Sequence, residues 1–503
     1  MTKCHFNFQK ATSFAARDKA DGLILPFWTK DKSAVPAFKK LGKIPQVDTA
    51  IKVGDFNGHK GEVFFIYPEK EKEQRIILLG LGKKESCTTF LLREAFHSLM
   101  KECHARRIQS LNLILPEIAI EDEKLVKAIS ETLVLSNYQF TELKHDGLIK
   151  RPANFLESAQ FIGISDKLLK IAKQAVDVAK GVYLTRDLVN RNADDVTPEK
   201  LADTAKALEK VSSKIKVTVF DKKRIEKEKM GLLLAVNRGS NLEPRFIIAT
   251  YNGDPNSKDH FALVGKGITY DTGGLSLKPT NFMLDMKSDM AGSATVLGTL
   301  YAAANLNLKI NLTAVIASSE NSIGSKSYKI GDVYQGYSGK TVEITNTDAE
   351  GRLALADALS YTVKKLKPKA MINLATLTGA VVVALGDEIC GYFANNDKLA
   401  EQIEKSAGDT DELIWRLPLQ QSYLKMLDSK VADIKNSAGR EAGSIQAALF
   451  LEQFVEKVPW AHMDIAGTAY WEKSKSYHPY FSTGYGVRML LDLLENFHNL
   501  KKL

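Results

Sequence analysis

The chain has 503 residues, of which 44% are hydrophobic and 26% are charged. This length is enough to bury one or two substantial cores, organised as two or three domains. The 33 Gly and 14 Pro residues exclude a low-complexity or collagen-like chain, and the apolar fraction excludes disorder. The net charge of +9 could indicate an anionic partner, but no basic arm or stripe stands out, so charge alone is weak support for nucleic-acid binding.

The cysteines and apolar stretches indicate the compartment. Four scattered cysteines without CxxC spacing form neither a disulfide framework nor a zinc-thiolate cluster, as is typical of a reduced cytoplasmic protein. The N-terminal segment lacks the apolar core of a secretory signal. The most apolar long stretch, residues 371–386, is interrupted by polar residues and is shorter than the about 20 residues that span a bilayer. We expect a cytoplasmic protein without membrane association, in which 371–386 is buried core.

The first 150 residues alternate short apolar runs with helical patterns, which predicts an α/β domain. A helix is predicted over 90–107, and strands are predicted over 22–27, 63–67, 75–82 and 111–117. The glycine turn at 80–85 follows a strand and could cradle a phosphate. It lacks both the dinucleotide fingerprint and the Lys-Ser/Thr end of a P-loop, so we interpret it as a tight strand-to-helix turn.

The pattern changes between about 150 and 190, where we place the domain junction. Residues 151–160 carry no strand signal, and residues 164–190 show a long amphipathic helical period. The predicted organisation is an N-terminal domain at 1–155, a linker helix region at 156–190 and a larger α/β domain at 191–503. In the larger domain, helices are predicted over 293–306 and 352–366, and strands over 216–220, 245–252, 261–267, 310–317, 341–346 and 370–376.

Chemically interesting residues cluster near the ends of these strands, where an open α/β sheet places its ligand crevice. Three segments contribute: VGKGITYDTGGLSLK (264–278), MLDMKSDMAG (283–292) and ITNTDAEGRL (344–353). The residues of interest in them are Lys266, Asp271, Lys278, Asp289, Asp348, Glu350 and Arg352. Acids from three separate segments, with lysines beside them and glycine turns between, are hard to explain as three unrelated helix caps.

The spacing of Asp348 and Glu350 points to a metal. They are two residues apart on what should be an extended segment, so their carboxylates leave on the same side. Close carboxylates remain ionised only with cations between them. All-oxygen ligation suits Mg, Ca or Mn, although Zn also accepts carboxylates, and no HExxH motif is present. Taken alone, Asp348 is more often a helix cap, and Asp285 with Lys287 could equally form a solvent-exposed pair outside the site.

NTDAEGRL (346–353) matches in full the signature octapeptide of the leucyl aminopeptidases, the M17 or cytosol aminopeptidase family. VGKGITYDTGG resembles the family's strand–turn segment, with Tyr270 and Thr272 where Phe and Ser are more usual, and MKSDMAGSA (286–294) resembles its third ligand segment. The similarity covers roughly 180–490, with an atypical loop at 321–329. It implies a smaller, macro-like N-terminal α/β domain and a larger zinc-peptidase-like catalytic domain with a mixed sheet flanked by helices.

The resemblance also implies the site chemistry. Two divalent ions, Mn²⁺ or Zn²⁺, would share a nucleophilic hydroxide, one ion bound by Lys266, Asp271, Asp289 and Glu350 and the other by Asp271, Asp348 and Glu350. Lys278 would polarise the scissile carbonyl, and Arg352 would hold a bicarbonate that carries the proton to the leaving amine. The substrate side chain would meet Met286, Thr376, Leu377, Gly379 and Ala466.

We therefore expect a cytoplasmic two-metal leucyl aminopeptidase that removes N-terminal residues from peptides, with Leu preferred in a broad range. The resemblance implies a homohexamer built as a dimer of trimers. The alternative is an additional DNA-binding regulatory role, because some members of the family bind DNA and this chain is basic.

Overall fold

A computed structural model of the chain describes residues 2, 4–29, 34, 44–69, 71–150, 152–475, 477–478 and 480–496. The chain divides into two compact units, Met1–Ala179 with Lys473–Pro479 and Lys180–Glu472 with Tyr480–Leu503. Each unit contains a central sheet with helices, so the predicted class of two α/β domains, the second larger and built on a mixed sheet, is confirmed. The boundaries at 155 and 190 stay predictions.

The first unit is built on six strands: β1 (Asn7–Ala11), β2 (Ala20–Phe27), β3 (Val63–Ile66), β4 (Glu73–Gly80), β5 (Ser110–Leu113) and β6 (Ser158–Ile162). They form one sheet in the order β1-β6-β5-β2-β4-β3, in which only β3 is antiparallel to its neighbour. Its helices are α1 (Pro45–Val53), α2 (Thr89–Ala105), α3 (Asp122–Ser136), α4 (Asp146–Lys150) and α5 (Asp166–Asn190), the last of which continues into the second unit.

β6 corrects one prediction, because it begins inside the segment 151–160 that carried no strand signal. Its apolar residues Ala159 and Phe161 are buried, whereas the residue between them is a glutamine. Gln160 is tolerated there because its amide accepts from the backbone of Asp18 at 2.8 Å and donates to the carboxylate of Asp18 at 2.7 Å. The strand therefore depends on a partner 142 residues away, which a local pattern does not reveal.

The second unit contains the remaining strands: β7 (Ile215–Phe220), β8 (Arg245–Asn252), β9 (His260–Asp271), β10 (Asn311–Asn321), β11 (Val333–Gln335), β12 (Thr341–Glu343), β13 (Ala370–Ala375), β14 (Cys390–Ala394), β15 (Ile414–Arg416), β16 (Ile434–Lys435), β17 (Trp460–Asp464), β18 (Tyr470–Trp471) and β19 (Phe481–Ser482). Eight of them form a mixed sheet in the order β15-β14-β17-β13-β9-β10-β8-β7. The helices of this unit are α6 (Pro198–Ala207), α7 (Lys222–Lys227), α8 (Gly231–Asn237), α9 (Ala291–Asn305), α10 (Glu350–Tyr361), α11 (Gly379–Leu385), α12 (Asp397–Thr410), α13 (Gly443–Glu452) and α14 (Val487–Glu495).

The central strand β9 lies parallel to both β10 and β13, and all three are almost wholly buried. Continuous apolar runs of this kind are typical of parallel strands covered on both faces. Helix α9 begins very close to this sheet, because a Cβ at Gly292 would lie 2.1 Å from the Leu374 carbonyl oxygen. This glycine lets the helix start beside the strand ends that carry the polar residues.

Residues 371–386 are buried core only in their first half, so that prediction is partly wrong. β13 is fully buried, but the chain then leaves the sheet and α11 exposes 37% of Val382 and 88% of Val383. Only Val381 of this short helix is buried. In the described part of the chain, no helix is both long enough and apolar enough to cross a membrane.

Candidate active site

The structure gathers the five predicted metal ligands at one end of the central sheet. Lys266 lies within β9 and Asp271 is the last residue of that strand, while Asp289 precedes α9 by two positions. Glu350 is the first residue of α10, and Asp348 lies in the turn just before it. One carboxylate oxygen from each of Asp271, Asp348 and Glu350 falls within 4.8 Å of the others.

The expected extended segment at Asp348 and Glu350 is not found. β12 ends at Glu343, and Glu350 already belongs to α10. The two carboxylates converge because the intervening turn is tightly held. In that turn the Asn346 side chain accepts from the backbone N–H of Asp348 at 2.8 Å, and the Asn436 side chain donates to the Asn346 carbonyl oxygen at 2.7 Å.

Lys266 joins two of the acids inside the protein. Its Nζ lies 2.7 Å from Asp289 Oδ1 and 2.9 Å from Glu350 Oε1, and it donates to the Thr376 carbonyl oxygen at 2.9 Å. Burial opposes the charge, but the surrounding carboxylates outweigh it and raise the pKa of Lys266. α10 passes so close that a Cβ at Gly351 would lie 2.4 Å from Lys266 Cε, so a larger residue there would displace the Lys266 side chain.

Lys278 joins the other two acids and lies nearer the surface. Its Nζ is 3.0 Å from Asp271 Oδ2 and 2.6 Å from Asp348 Oδ1. Burial alone would lower the pKa of Lys278, but the neighbouring carboxylates outweigh this effect and raise it. Its ammonium group is thus a fixed cation at the mouth of the acidic cluster.

The carboxylates outnumber the lysines, four to two, and their pKa values reflect this. Burial and the neighbouring acids raise the pKa of Asp271 and Asp289 and bring that of Asp348 to about 6. Burial would also raise the pKa of Glu350, but Lys266 and Lys278 lower it. Within the described residues, Asp289 Oδ2 and Glu350 Oε2 are buried without a hydrogen-bond partner. Buried anionic oxygens without donors fit a divalent cation.

Asn321 is a site residue that sequence reasoning missed. It ends β10 beside Asp271, and its Nδ2 donates to Asp271 Oδ1 at 2.7 Å and to the Thr347 carbonyl oxygen at 3.0 Å. It therefore orients the predicted bridging carboxylate and ties it to the turn that carries Asp348. Its position at a strand end, in the loop that departs from the family pattern, was the only signal in the sequence.

Arg352 lies in the first turn of α10 and is buried. Its Nη1 donates to the Asn436 carbonyl oxygen at 2.8 Å, while its Nε has no partner within the described chain. Burial lowers the pKa of Arg352 to about 10, and Glu350 and Asp464 oppose that shift. A buried guanidinium at a helix N-terminus is suited to an anion.

Hydrogen bonds link three of the predicted pocket residues to buried carboxylates. Thr376 Oγ1 donates to Asp289 Oδ1 at 2.8 Å, and the backbone N–H groups of Leu377 and Ala466 both donate to Asp464.

Gly379 begins α11, and a Cβ placed there would have no described atom within 4 Å. Met286 lies in the 3₁₀ turn before Asp289. Lys287 is directed elsewhere, because its Nζ donates to the Asn190 carbonyl oxygen at 2.9 Å.

Comparison with known proteins identifies the family of the chain. Residues 183–491 match the family model described as "Cytosol aminopeptidase family, catalytic domain", and residues 24–147 match the model of that family's N-terminal domain. The chain belongs to the cytosol aminopeptidase family. It is 47% identical over 489 residues to a probable cytosol aminopeptidase of Protochlamydia amoebophila (strain UWE25), covering 96% of this chain and 98% of the relative.

One further relative and two solved structures are also similar to this chain. A probable cytosol aminopeptidase of Chlamydia abortus (strain DSM 27085 / S26/3) is 45% identical, covering 97% of this chain and 99% of the relative. A mutant tomato leucine aminopeptidase superposes with a TM-score of 0.86 at 31% identity, covering 98% of this chain and 97% of that one. The bottromycin maturation enzyme BotP in complex with Mn superposes with a TM-score of 0.83 at 31% identity, covering 95% of this chain and 99% of that one. The protein is accordingly a metal-dependent aminopeptidase.

Proposed function

We propose that this aminopeptidase acts in the cytoplasm on peptides and releases their N-terminal residue, preferably leucine, with two divalent ions. The observation that carries the proposal is the convergence of the Asp271, Asp348 and Glu350 carboxylates. Buried oxygens of Asp289 and Glu350 in the same cluster have no donor within the described part of the chain. Lys266, Asp271, Asp289 and Glu350 would hold one ion, and Asp271, Asp348 and Glu350 the other. Mn²⁺ and Zn²⁺ are the candidate ions, and they supply Lewis acidity and lower the pKa of water when bound.

We assign to Lys278 the role of polarising the scissile carbonyl group of the substrate. Its Nζ lies between Asp271 and Asp348 and is partly exposed, so a substrate oxygen can reach it. An ammonium already fixed in position stabilises the negative charge that develops on that oxygen in the transition state. Lys266 is buried deeper and acts differently, because it can bind a metal only after losing the proton that its carboxylate partners favour.

Arg352 is the group we assign to bicarbonate. Its Nε, which no described residue bonds, and its place in the first turn of α10 favour a small planar anion. A guanidinium binds such an anion through two parallel hydrogen bonds. Arg352 would hold bicarbonate there as the proton carrier between water and the leaving amine. The acidic cluster then needs no histidine as a general base.

Substrate selection follows from the pocket. Cleavage would be limited to the first residue, because a bound ion would favour a free α-amine over an internal amide nitrogen. Met286, Thr376, Leu377, Gly379 and Ala466 would surround the first side chain, and the open space beside Gly379 leaves room for it. A lining of Met and Ala favours Leu or Met.

We also propose the homohexamer. The catalytic unit leaves large apolar side chains exposed, including Leu277, Phe282 and Leu284 in one segment and Val383 in α11. Such exposure favours a surface that associates. A DNA-binding role stays a secondary hypothesis, favoured by the net charge of +9 and by the DNA binding of some family members. Steeply salt-dependent retention on duplex DNA would support it.

Metal content and turnover, measured together, test the proposed function. Glu350→Ala should lose bound metal and leucine-anilide hydrolysis together, because that carboxylate serves both ions. Lys278→Ala should retain the metal and lose roughly 10²- to 10³-fold in kcat, the usual effect of removing one transition-state donor.

Two surface variants, Glu401→Ala and Lys309→Ala, are the matched controls, since both side chains are exposed. They should keep both metal and rate. If Glu350→Ala retained both ions and full turnover, the two-metal assignment would be wrong.

A further inference from the structure

The turn between β13 and α11 contacts both the predicted ligands and the predicted pocket. It consists of residues 376–378. The Thr376 carbonyl oxygen accepts from Lys266 Nζ at 2.9 Å, and its hydroxyl donates to Asp289 at 2.8 Å. The next residue, Leu377, is part of the predicted wall for the substrate side chain. A shift of this turn would therefore change the shape of the pocket.

One buried carboxylate, Asp464, holds this turn. It ends β17 opposite Ala375, the last residue of β13. Its Oδ1 accepts from the backbone N–H of Leu377 at 3.0 Å and from those of Thr378 and Ala466, each at 3.3 Å. Its Oδ2 accepts from the Thr378 hydroxyl at 2.6 Å. Two predicted pocket walls, Leu377 and Ala466, thus bond to a single oxygen atom.

The same network reaches the start of α11. Thr378 is the N-cap of that helix, and its Oγ1 accepts from the backbone N–H of Val381 at 3.1 Å. The Ser444 hydroxyl of α13 lies 2.9 Å from Thr378 Oγ1. Because the Thr378 hydroxyl already donates to Asp464, Ser444 is the donor in that contact. Asp464 thereby also fixes where α11 begins, beside the open space at Gly379.

Packing alone does not explain a carboxylate here. Asp464 is only 1% exposed, and burial raises its pKa to about 6 even though four donors lower it. Burying a carboxylate costs free energy unless each lone pair is used, and an apolar residue of similar volume would fill the same space. What an apolar residue would lack is the ability to bind three backbone N–H groups and a hydroxyl at once.

We propose that Asp464 is a positioning residue that sets the spacing of the Leu377 and Ala466 walls and so determines selectivity for the first residue of the peptide. Asp464 does not touch the substrate, and it acts through the turn. The proposal rests on the aminopeptidase function proposed above and extends it to the origin of its selectivity.

Two substitutions separate position from charge. In Asp464→Asn the retained oxygen can still accept from the three backbone N–H groups. Its amide can donate to Thr378 Oγ1, whose hydroxyl then turns to Ser444. In Asp464→Ala all four donors lose their acceptor. The readouts are bound metal, melting temperature, and kcat and KM for leucine and alanine anilides.

Asp464→Asn should keep the leucine-to-alanine ratio of kcat/KM within about threefold of wild type. Asp464→Ala should lower that ratio about tenfold, mainly through a higher KM for the leucine substrate, with both ions retained; this is the usual scale of discrimination in an apolar pocket. Thr378→Val removes the bond to Oδ2, the helix cap and the acceptor of the Ser444 hydroxyl, and it leaves the three backbone bonds to Oδ1 in place. It should lower the ratio by a smaller factor, and it keeps the test decisive if Asp464→Ala does not fold.

Asp357→Ala is the matched control, because Asp357 is also buried and accepts from three backbone N–H groups, of Leu232, Leu233 and Tyr337. It should lower the melting temperature and leave the ratio unchanged. The inference is overturned if Asp464→Ala and Thr378→Val behave like this control, or if Asp464→Asn loses selectivity as fully as Asp464→Ala. A wild-type protein inactive on both anilides would contradict the proposed function itself, and this inference with it.

Discussion

His462, in the middle of β17, is held neutral with a defined tautomer. Trp460 Nε1 donates to Asn373 Oδ1 at 2.8 Å, and because an indole N–H can only donate, this contact fixes which end of the amide faces the histidine. Asn373 Nδ2 then donates to His462 Nδ1 at 2.9 Å. The proton of the imidazole therefore lies on Nε2. The rings of Phe393 and Trp460 lie nearly parallel to it.

This environment predicts a contribution to acid sensitivity. Burial, followed by the charge of Arg352, lowers the pKa of His462 to about 3, below the about 6.5 of an unfolded histidine. The unfolded chain thus binds the proton first. The stability contributed by neutral His462 is complete above pH 6.5 and is lost as the pH falls towards 3.

His462→Gln, which keeps an acceptor for Asn373, should therefore lose about 2 kcal/mol less stability than wild type between pH 7.5 and pH 5. Urea unfolding at both pH values measures the difference. The exposed His145→Gln is the control and should follow wild type. An unchanged pH dependence in His462→Gln would show that folding does not lower the pKa of His462.

Site residues differ in how far the sequence reveals them. Lys266, Asp271 and Glu350 stand beside glycine turns and helix starts, in a motif that identifies a family, so their grouping was predictable. Asn321 and Asp464 were not, because each acts on a residue of a neighbouring strand or turn. Such partners are set by sheet register, Asn321 opposite Asp271 and Asp464 opposite Ala375, and register is not fixed by local sequence.

At the scale of elements, α8 receives its cap from another helix. Asp357 in α10 accepts from the backbone N–H groups of Leu232 and Leu233 through Oδ2, at 3.0 and 2.9 Å, and from Tyr337 through Oδ1 at 2.7 Å. The local N-cap position of α8 is Met230, which makes no side-chain cap bond. The first turn of α8 is therefore satisfied only when α10 is in place.

Asp357→Asn should destabilise the protein by about 1–3 kcal/mol, because either orientation of the amide turns an NH₂ group towards a backbone N–H. Urea denaturation measures this loss. Asp203→Asn, on the exposed side of α6, is the control and should change stability little. A wild-type midpoint in Asp357→Asn would mean that these N–H groups find other acceptors.

Long apolar strands were predicted well, and the short strands β3, β5 and β12 were also found, whereas the polar edge strand β1 was missed. β9, β10 and β13 are continuous buried runs, and the sequence places each of them within a few residues. β1 was missed because it is a short edge strand with polar residues at Gln9 and Lys10. Such strands form because a neighbouring strand supplies hydrogen bonds, and this is a tertiary effect rather than a local preference.

At the scale of the whole molecule, the proposed assembly makes a mass prediction. Leu284 and Val383 are 81% and 88% exposed in the single chain, and a neighbouring subunit that covered them would remove this apolar surface from water. Light scattering at micromolar concentration should give six times the subunit mass of 55.7 kDa. A mass of one subunit would contradict the hexamer, and the exposure of Leu284 and Val383 would then need another explanation.

The cap from Asp357 also has a consequence for synthesis of the chain. Leu232 and Leu233 leave the ribosome 125 and 124 residues ahead of the carboxylate that binds them. A seven-residue helix is too short to persist alone in water, so α8 has to wait for the later segment. Nascent chains that stop before residue 357 should therefore expose this stretch to proteases, and translation has to pass that point before this helix can be completed.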